Sequence, residues 1–481
     1  MSRLKPIDLS FLLMENTSRQ MHMTAYQMFK IPARQKNSFV HKVLEIYRNS
    51  EVAEPFNQKV KWLGKGVASW QKVDPDMEYH VRHLSAPAPG TMQQFSEMIS
   101  FLNTTLLDRA QPLWECYIID GIEGDHFAIM IKVHHALIDG EGALKMFRNS
   151  MNDKASDKTI RAVWMPVDEP RPRRQRSRVS ESQLKQLASR FGKLPSDVLG
   201  LTTEFASRGA QSLKLRPKTT ALPFAAKKTV FNNVARSSAR RYASCEIPLD
   251  QVKAVAKTTG TTVNDVVTTI IDDGLHHYLD DQNESIDEPL VTLMAMSLRT
   301  PDQKAAGNQV SVELVTMGQP TATIGKRLQQ VHESINQVKA SSRKLPAAVR
   351  QFYALFLFGS ATLTDLSSAM QQVPSANLII SNMVGPQGQL YMGGAPMVAF
   401  QGLPIVPPGG GLNVTFASVN KDICLAIGAT PESVSDPYKL VQHILHGFEK
   451  LQKAALGSKS KPKAKRKTKA RTKAKRVRSK R

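Results

Sequence analysis

Short apolar runs separated by polar turns characterise the first third of the chain. Two such runs, residues 114–119 and 127–133, flank a turn rich in glycine and acidic residues. Apolar runs of this length, joined by a turn that contains glycine, are typical of a β-hairpin. We therefore predict a hairpin of two buried strands at this point.

A longer period appears in the second half. Residues 262–281 place apolar side chains three and four positions apart, which predicts a helix with one buried face. Thr262 and Asp265 have the spacing of a capping box at its start. Strands that alternate with helices in both halves predict an α/β or α+β fold. Four further apolar runs predict buried strands, at residues 290–298, 311–317, 377–383 and 413–419.

The pattern divides the 481 residues into four ranges. Residues 1–155 and 231–456 carry the patterned apolar content, so we expect each to be a folded domain. Residues 156–230 contain a basic, proline-containing stretch and read as a linker, interrupted by a short helical patch near residues 180–191. Residues 457–481 are mostly Lys, Arg, Ala and Thr, which predicts a disordered tail.

Positive charge is concentrated in that tail. It carries 14 of the 24 net positive charges and no acidic residue, which leaves +10 for the rest of the chain. Both parts are suited to anionic partners such as nucleotide phosphates or an anionic membrane surface. Three isolated cysteines, Cys116, Cys245 and Cys424, favour a reducing compartment. We expect no signal peptide and no membrane span, and hence a cytoplasmic protein.

The clearest chemical signal is the pattern HHxxxDG, formed by His134, His135, Asp139 and Gly140. The apolar run at 127–133 delivers both histidines at the end of a buried strand. Successive side chains of a strand point to opposite faces, so one histidine should face a site and the other should support the structure. Imidazole, with an ordinary pKa of about 6.5, can accept the proton of an attacking hydroxyl. We therefore predict a general base in this pair.

A second histidine pair, His276 and His277, is expected to have no such role. It lies inside the helical pattern, with no strand before it and no glycine turn after it. We predict that it occupies a solvated or partly buried face of the helix.

The motif resembles that of a superfamily of CoA-dependent acyltransferases. Other segments are similar to the wax ester synthase/diacylglycerol acyltransferase family in particular, and they follow that family's order over about residues 3–450. At residues 383 and 384 this chain has Met-Val where the family more often has Val-Pro. The similar segments are residues 6–23, residues 79–90, Asp108 with Pro112-Leu113-Trp114-Glu115, Val263-Asn264-Asp265-Val266-Val267, Ser381-Asn382-Met383-Val384-Gly385-Pro386 and Gly411-Leu412-Asn413-Val414.

This resemblance implies two chloramphenicol-acetyltransferase-like domains with an active-site tunnel between them. It implies that His135 deprotonates the hydroxyl of diacylglycerol or of a long-chain alcohol, which then attacks the thioester of acyl-CoA directly. The product would be triacylglycerol or a wax ester, which places the chain in lipid biosynthesis and glycerol metabolism. Acyl-CoA is a substrate in this scheme, and neither a cofactor nor a metal ion is implied.

Supporting roles are expected for several other positions. His134 and Gly140 would shape the motif, and Asp139 would pair with an arginine such as Arg299, because a buried carboxylate needs a partner. Asn264 is either an oxyanion donor or an ordinary polar residue at a helix start. The remaining candidates for oxyanion stabilisation, substrate binding or pocket packing are Glu15, Trp114, Ser381 and Asn382.

Two alternatives stay open on the sequence alone. One is a condensation-type acyltransferase that uses carrier-bound thioesters, since those enzymes share HHxxxDG. The other is a non-enzymatic protein that binds nucleic acid or an anionic surface through the tail. In an enzyme, the same tail would suit attachment to the inner membrane or to lipid droplets. The preferred acceptor and acyl-chain length are also left open.

Overall fold

The computed structural model describes residues 2–166, 221–297, 310–344 and 370–457, and positions 353, 356 and 357. Single positions and short breaks within these ranges lie outside the described set: 5, 37, 65, 66, 139, 386, 387, 407 and 408. Asp139 and Arg299 are therefore outside it, as are the basic stretch at 171–178, the helical patch at 180–191 and the tail beyond Gly457.

Fifteen strands are present in the described residues. They are β1 (Ser2–Arg3), β2 (His22–Lys30), β3 (Gln58–Gly64), β4 (Val67–Lys72), β5 (Val81–Ser85), β6 (Trp114–Ile122), β7 (His126–His134), β8 (Arg241–Pro248), β9 (Val291–Ser297), β10 (Val310–Thr316), β11 (Leu378–Val384), β12 (Tyr391–Met392), β13 (Ala395–Leu403), β14 (Leu412–Val419) and β15 (Asp422–Ala429).

The same part of the chain contains nine α-helices. They are α1 (Pro6–Met14), α2 (Phe39–Arg48), α3 (Met77–His80), α4 (Met92–Leu102), α5 (Gly140–Asn149), α6 (Leu249–Thr259), α7 (Val263–Asp281), α8 (Ile324–Arg343) and α9 (Pro437–Leu456). Short 3-10 turns occupy Ala33–Gln35, Val230–Asn232 and Met370–Gln372. None of these described helices is long and apolar enough to cross a membrane.

The first half is built on a mixed six-stranded sheet in the order β12-β13-β2-β7-β6-β5. The predicted hairpin is confirmed: β6 and β7 pair antiparallel, and Gly124 and Asp125 form the turn with positive φ angles. Residues Phe127 to Ile129 on β7 are fully buried. The apolar run therefore serves as a central strand, because both of its faces are covered.

The second half contains a separate six-stranded sheet in the order β10-β9-β11-β14-β15-β8. The four strands predicted from apolar runs correspond to β9, β10, β11 and β14, so these predictions are confirmed. The predicted helix is α7, and Thr262 caps it through the expected box with Asp265. Helix α7 packs against α9, where a side chain at Gly274 would collide with the backbone of Ile444.

One strand crosses between the halves. Strand β13 comes late in the chain, yet it pairs antiparallel with β2 in the first sheet, with Leu403 opposite Thr24. Residues 156–166, expected in the linker, also pack into the first core, where Trp164 is fully buried. Apolar side chains explain both placements, since each buries surface that a free linker would expose. The domain ranges themselves stay predictions.

A small third sheet, in the order β1-β4-β3, lies beside helix α1. Its inner residues Val60 and Ala68 form one apolar cluster with Leu12 of α1 and with Leu113 and Ala136. Because Leu113 precedes β6 and Ala136 follows β7, this cluster lies at the end of the hairpin that carries the two histidines.

Candidate active site

Strand β7 ends at His134, and a turn follows that holds His135. The backbone N–H of His134 donates to Leu113 O at 3.0 Å, and that of His135 donates to Met21 O at 2.8 Å. Leu137 N–H closes the turn on His134 O at 2.9 Å. Segments before β6 and before β2 therefore fix the backbone of the motif on both sides.

His134 is completely buried, and both of its ring nitrogens face defined groups. Nδ1 accepts the backbone N–H of Ala136 at 3.0 Å. Nε2 lies 3.4 Å from Glu15 Oε1, an ion-pair distance. Since Nδ1 is an acceptor, the ring proton resides on Nε2 and points towards the carboxylate. This ring is a part of the structure and has no access to a substrate in this conformation.

Glu15 is held in place by the residues around its carboxylate. Its side chain is only 1% exposed, Oε1 accepts the Met21 N–H at 3.1 Å, and Oε2 accepts Arg109 Nη2 at 3.2 Å. The same Arg109 nitrogen donates to Leu12 O at 2.8 Å. Burial alone would raise the pKa of the Glu15 carboxyl. The His134 ring and the hydrogen-bond donors outweigh that effect and bring the pKa to about 2.

His135 differs from its neighbour because it is only partly buried. Its ring stacks on Phe11 of helix α1, with centroids 4.4 Å apart and planes at 19°. Nδ1 is shielded from solvent, so solvent reaches other parts of the residue. The turn at the end of β7 thus leaves His134 in the core and His135 partly exposed.

A layer of buried polar side chains lies behind the pair, on the same face of the sheet as His134. His22 of β2 is the register partner of His134, and its Nε2 donates to Asn103 at 3.0 Å. Asn103 Nδ2 donates in turn to the hydroxyl of Tyr242 in the second half. Burial and the charge of Lys132 lower the pKa of His22 to about 3, so this ring is neutral.

Lys132 is a buried cation two residues before His134. Its Nζ donates to Thr105 Oγ1 at 2.9 Å and lies 3.5 Å from Glu115 Oε2. Burial lowers its pKa, although Glu115 opposes that shift. Tyr117 OH donates to the same Glu115 oxygen at 2.7 Å. A buried charge is tolerated only with such partners, so this cluster fixes the inner face of β6 and β7.

The second half contributes an asparagine pair. Asn382 Nδ2 on β11 donates to Asn264 Oδ1 on α7 at 3.0 Å. Ser381 and Met383 point to the opposite face of β11, because strand side chains alternate. Met383 packs against the core cluster that contains Val133 and Leu137. Ser381 therefore shares a face of β11 with Met383, and Asn382 lies on the face turned towards α7.

Asp265, next to Asn264, anchors the start of α7. Its Oδ2 accepts the Thr262 N–H at 2.8 Å and lies 2.6 Å from His332 Nδ1 on α8. The side chain is 1% exposed, so it is a structural carboxylate. This clamp fixes the first turn of α7, from which Asn264 projects.

The structure separates the remaining candidates. Trp114 is fully buried; it donates to Phe56 O at 2.8 Å and stacks on His80 at 4.2 Å, as pocket packing would require. Gly140 begins α5. Asp139 and Arg299 lie outside the described residues, so their expected pairing stays a prediction. The second histidine pair lies on α7 as predicted. The expected solvated or partly buried face holds for His277 but is wrong for His276, which is buried because α7 is covered on nearly all sides.

Sequence reasoning did not identify Arg109, the ring stack of Phe11 or the Lys132 cluster. One signal was available: Lys132 interrupts an otherwise apolar run on the same strand face as His134, which indicates a buried partner. For Arg109 no local signal exists, because its carboxylate partner lies 94 positions away in the chain.

Two family models match this chain in succession. The model of the wax ester synthase/diacylglycerol acyltransferase catalytic domain matches residues 4–267, and that of the WS/DGAT C-terminal domain matches residues 306–452. The chain belongs to the wax ester synthase/diacylglycerol acyltransferase family. It is thus an acyltransferase of lipid biosynthesis, and the resemblance noted from the motifs is confirmed.

Relatives in this family cover almost the whole chain. A probable diacylglycerol O-acyltransferase, Tgs4 of Mycobacterium tuberculosis, is 51% identical over 461 residues, which is 95% of this chain and 97% of the relative. The probable diacylglycerol O-acyltransferase tgs2 of the same species is 32% identical over 462 residues, covering 94% and 99% of the two chains.

Solved structures confirm the expected fold. The wax ester synthase/diacylglycerol acyltransferase of Marinobacter aquaeolei VT8 aligns with a TM-score of 0.74 at 23% identity, over 95% of this chain and 100% of that chain. The first condensation domain of the calcium-dependent antibiotic synthetase aligns with a TM-score of 0.54 at 13% identity, over 95% and 97%. The two-lobed α/β architecture, like that of chloramphenicol acetyltransferase, is shared with both.

Proposed function

We propose that this WS/DGAT-family enzyme transfers a fatty acyl group from acyl-CoA directly to the free hydroxyl of diacylglycerol, with His135 as the general base. One observation carries the assignment of the base. Of the two motif histidines, His134 is fully buried, with Nδ1 on the Ala136 N–H and Nε2 turned towards Glu15, whereas His135 is only partly buried and its ring stacks on Phe11. Only His135 can meet a hydroxyl.

The proposed step needs no other group to carry the proton. His135 Nε2 removes the hydroxyl proton, since Nδ1 is on the buried side of the ring. The alkoxide oxygen forms a bond to the thioester carbonyl carbon, and the carbon–sulfur bond then breaks. The CoA thiolate leaves and takes the proton back from His135, so the enzyme returns to its starting state.

The other motif residues position this base. Glu15 orients His134 through the 3.4 Å contact between Oε1 and Nε2, and His134 supports the turn through the Ala136 N–H. The Met21 segment links the two, because its N–H binds Glu15 and its C=O binds the backbone of His135. We assign Glu15 to this positioning role, since its buried side chain has no exposed surface for a substrate.

We place the acyl oxygen near the second half, in a tunnel between the lobes. Support comes from one apolar cluster that includes Met383 and Ala417 of the second half as well as Leu137 of the motif turn. Ser381 lies on the same face of β11 as Met383 and is our candidate to bind the oxyanion. Asn264 and Asn382 would fix the end of β11 through their mutual hydrogen bond.

Diacylglycerol is proposed as the acceptor because relatives that cover nearly the whole chain are named probable diacylglycerol O-acyltransferases. A long-chain alcohol is the second candidate, as the family name and the Marinobacter enzyme include wax ester synthesis. The condensation reaction is not favoured, since the likeness to condensation domains is one of fold alone.

A product assay with the purified full chain tests this proposal. Palmitoyl-CoA is offered with dipalmitoylglycerol or with hexadecanol, and lipid products and released CoA are both measured. Triacylglycerol formation that disappears in His135→Ala supports the proposal. Wax ester as the sole product would move the acceptor to the second candidate. CoA release without any ester product would contradict acyl transfer to a hydroxyl.

The location of the enzyme and the partner of its tail are also proposals. A cytoplasmic protein held at an anionic membrane or lipid-droplet surface would lie near its water-insoluble acceptor. The composition of the tail supports this, since 14 of its residues are cationic. Nucleic acid is the alternative anionic partner for the tail.

A further inference from the structure

The hairpin of β3 and β4 presents large apolar side chains to solvent at its tip. Trp62 is 41% exposed, Leu63 53% and Val67 41%. These three residues, here called the hairpin tip, lie at the free end of the hairpin, where Trp62 is opposite Ala68 and Gly64 is opposite Val67. Large apolar side chains that are exposed together indicate an interaction site, whereas single exposed ones are ordinary.

The base of the same hairpin is well packed. Val60 and Ala68 are buried against Leu12 in an apolar cluster, and Trp70 packs against that cluster. The hairpin tip is therefore the exposed end of a hairpin whose base is packed in the core. Leu13, the residue after Leu12 on helix α1, is 61% exposed.

Charge around the tip is of one sign. Residues 57–73 contain four lysines and no acidic residue. Lys61 and Lys72 are exposed, and Lys59 Nζ is turned back to Ala110 O at 3.4 Å. Two of the four tryptophans in the chain, Trp62 and Trp70, lie in this short segment.

We propose that the hairpin tip inserts into the interface of an anionic lipid surface, with Lys61 and Lys72 facing the headgroups. Tryptophan prefers the boundary between headgroups and acyl chains, and lysines next to it are attracted to anionic lipids. The lysines of this segment give it a positive charge that matches anionic phospholipid headgroups.

The inserted hairpin would lie close to the base of the proposed reaction. Helix α1 packs on the hairpin through Leu12, and Phe11 in the same turn stacks on His135. A lipid surface at the tip would bring a lipid acceptor to the side of the molecule that carries the base. This consequence rests on the proposed function, whereas the insertion itself does not.

Insertion can be measured without any catalytic readout. The full chain is mixed with vesicles of phosphatidylcholine and phosphatidylglycerol whose acyl chains carry bromine, a short-range quencher of tryptophan emission. Trp114 and Trp164 are fully buried, so Trp62 is the tryptophan that can approach the acyl chains most closely. We expect quenching of the bound wild type and its loss in Trp62→Phe. Salt at about 0.5 M screens the attraction between the tail and the vesicles. The protein that stays bound at this salt concentration should still show quenched tryptophan emission.

Partition to the same vesicles provides the second readout. Leu63→Ser combined with Val67→Ser should weaken partition by about tenfold or more, because two apolar side chains no longer enter the interface. Val398→Ser is the matched control, since that valine is 43% exposed on β13. Lys61→Glu with Lys72→Glu should weaken partition more than Lys253→Glu with Lys257→Glu, which changes the same charge on exposed positions of α6.

Either of two results would overturn the proposal. Vesicle-bound wild type without quenching would mean that the tip stays outside the lipid. Tip variants that melt and partition like the wild type would show that another surface carries the binding. If the protein forms no ester but its tryptophan emission is still quenched, the proposed function is contradicted and the proposed lipid-binding face is not.

Discussion

His134 and His135 are neighbours in the chain, yet they occupy opposite environments. The backbone turns at the strand end, so one ring enters a pocket of fixed partners and the other stays accessible. Substitution of His135 should therefore impair the chemical step, whereas substitution of His134 should disturb the local structure.

Replacing His135 by Ala should reduce turnover by about 10²-fold or more, the usual contribution of a general base. The melting temperature should change little, because the ring is only partly buried. Replacing His134 by Ala should lower the melting temperature as well as activity, since it leaves the buried Glu15 carboxylate without one of its partners. Steady-state kinetics and thermal melting on both variants check this. Near-normal turnover in a folded His135→Ala enzyme would contradict the assignment.

The sequence predicts a general base in this histidine pair, and the family resemblance assigns it to His135; the supports of His134 could not be predicted. The HHxxxDG pattern and the strand before it are local, so they are visible in a single stretch of residues. The partners of His134 come from Glu15 and, behind it, Arg109, which are distant in the chain. Such contacts depend on how the N-terminal segment folds over the sheet. The spacing of apolar residues along the chain does not predict that arrangement.

His22 provides a pH-dependent prediction at the same scale. Its pKa is lowered from 6.5 to about 3 because the ring is buried, so the unfolded chain binds a proton that the folded chain does not. Stability from this group is present above pH 6.5 and is lost as the pH falls towards 3. His22→Gln keeps a neutral donor and removes the titration. As the pH is lowered from 6.5 towards 3, the melting temperature of this variant should fall less than that of the wild type. If the two plots of melting temperature against pH are parallel, His22 does not contribute.

Helix α7 shows which features of an element can be read from its sequence. Its length, its cap at Thr262 and its apolar face follow from local patterns, and all three are present in the structure. The same pattern did not predict that Asp272 and Asp273 are buried and bind Arg327 of α8. Strand β13 was likewise not predicted, because its pairing with β2 joins segments at opposite ends of the chain.

The contact between α7 and α8 should depend on Arg327. Its guanidinium donates twice to Asp272, at 2.7 and 3.1 Å, and once to Asp273 at 2.9 Å. Arg327→Met would leave the buried Asp272 carboxylate without its cation, while Asp273 keeps Lys450 at 3.3 Å. Removal of one partner of a buried ion pair costs about 3–5 kcal/mol. Urea denaturation measures the loss. Lys326→Met, an exposed change on the same helix, is the control and should cost little.

The pH dependence of that variant gives an independent check. Burial already raises the pKa of Asp272 to about 6, although Arg327 opposes the shift. A carboxyl with a raised pKa stabilises the fold at low pH and loses this contribution as the pH rises through the folded value. Without the arginine the pKa should rise further, so Arg327→Met should be less destabilised near pH 5 than near pH 8. An equal loss at both values would mean that Arg327 acts through packing alone.

At the scale of the molecule, the two halves are joined by more than a linker. Strand β13 belongs to the first sheet, and side chains of the second half complete polar contacts in the first. Gln20 Nε2 donates to Ser238 O at 3.0 Å, and Tyr242 accepts from Asn103, which binds His22. These contacts connect the second half to the polar layer behind the motif histidines, so the relative position of the halves and the support of the base are coupled.

Removal of the tail should leave this coupled core intact. Helix α9 packs through Leu440, Ile444 and Leu451, and the cationic residues follow after it. A chain truncated after Gly457 should keep its melting temperature and its activity on a detergent-dispersed acceptor. At low salt it should sediment with anionic vesicles at least about tenfold more weakly than the full chain, because each cation near such a surface contributes about 1 kcal/mol. The difference should shrink at high salt and be absent with neutral vesicles. Equal sedimentation of the two chains at low salt would exclude the tail as the anchor and leave the hairpin tip as the candidate that remains.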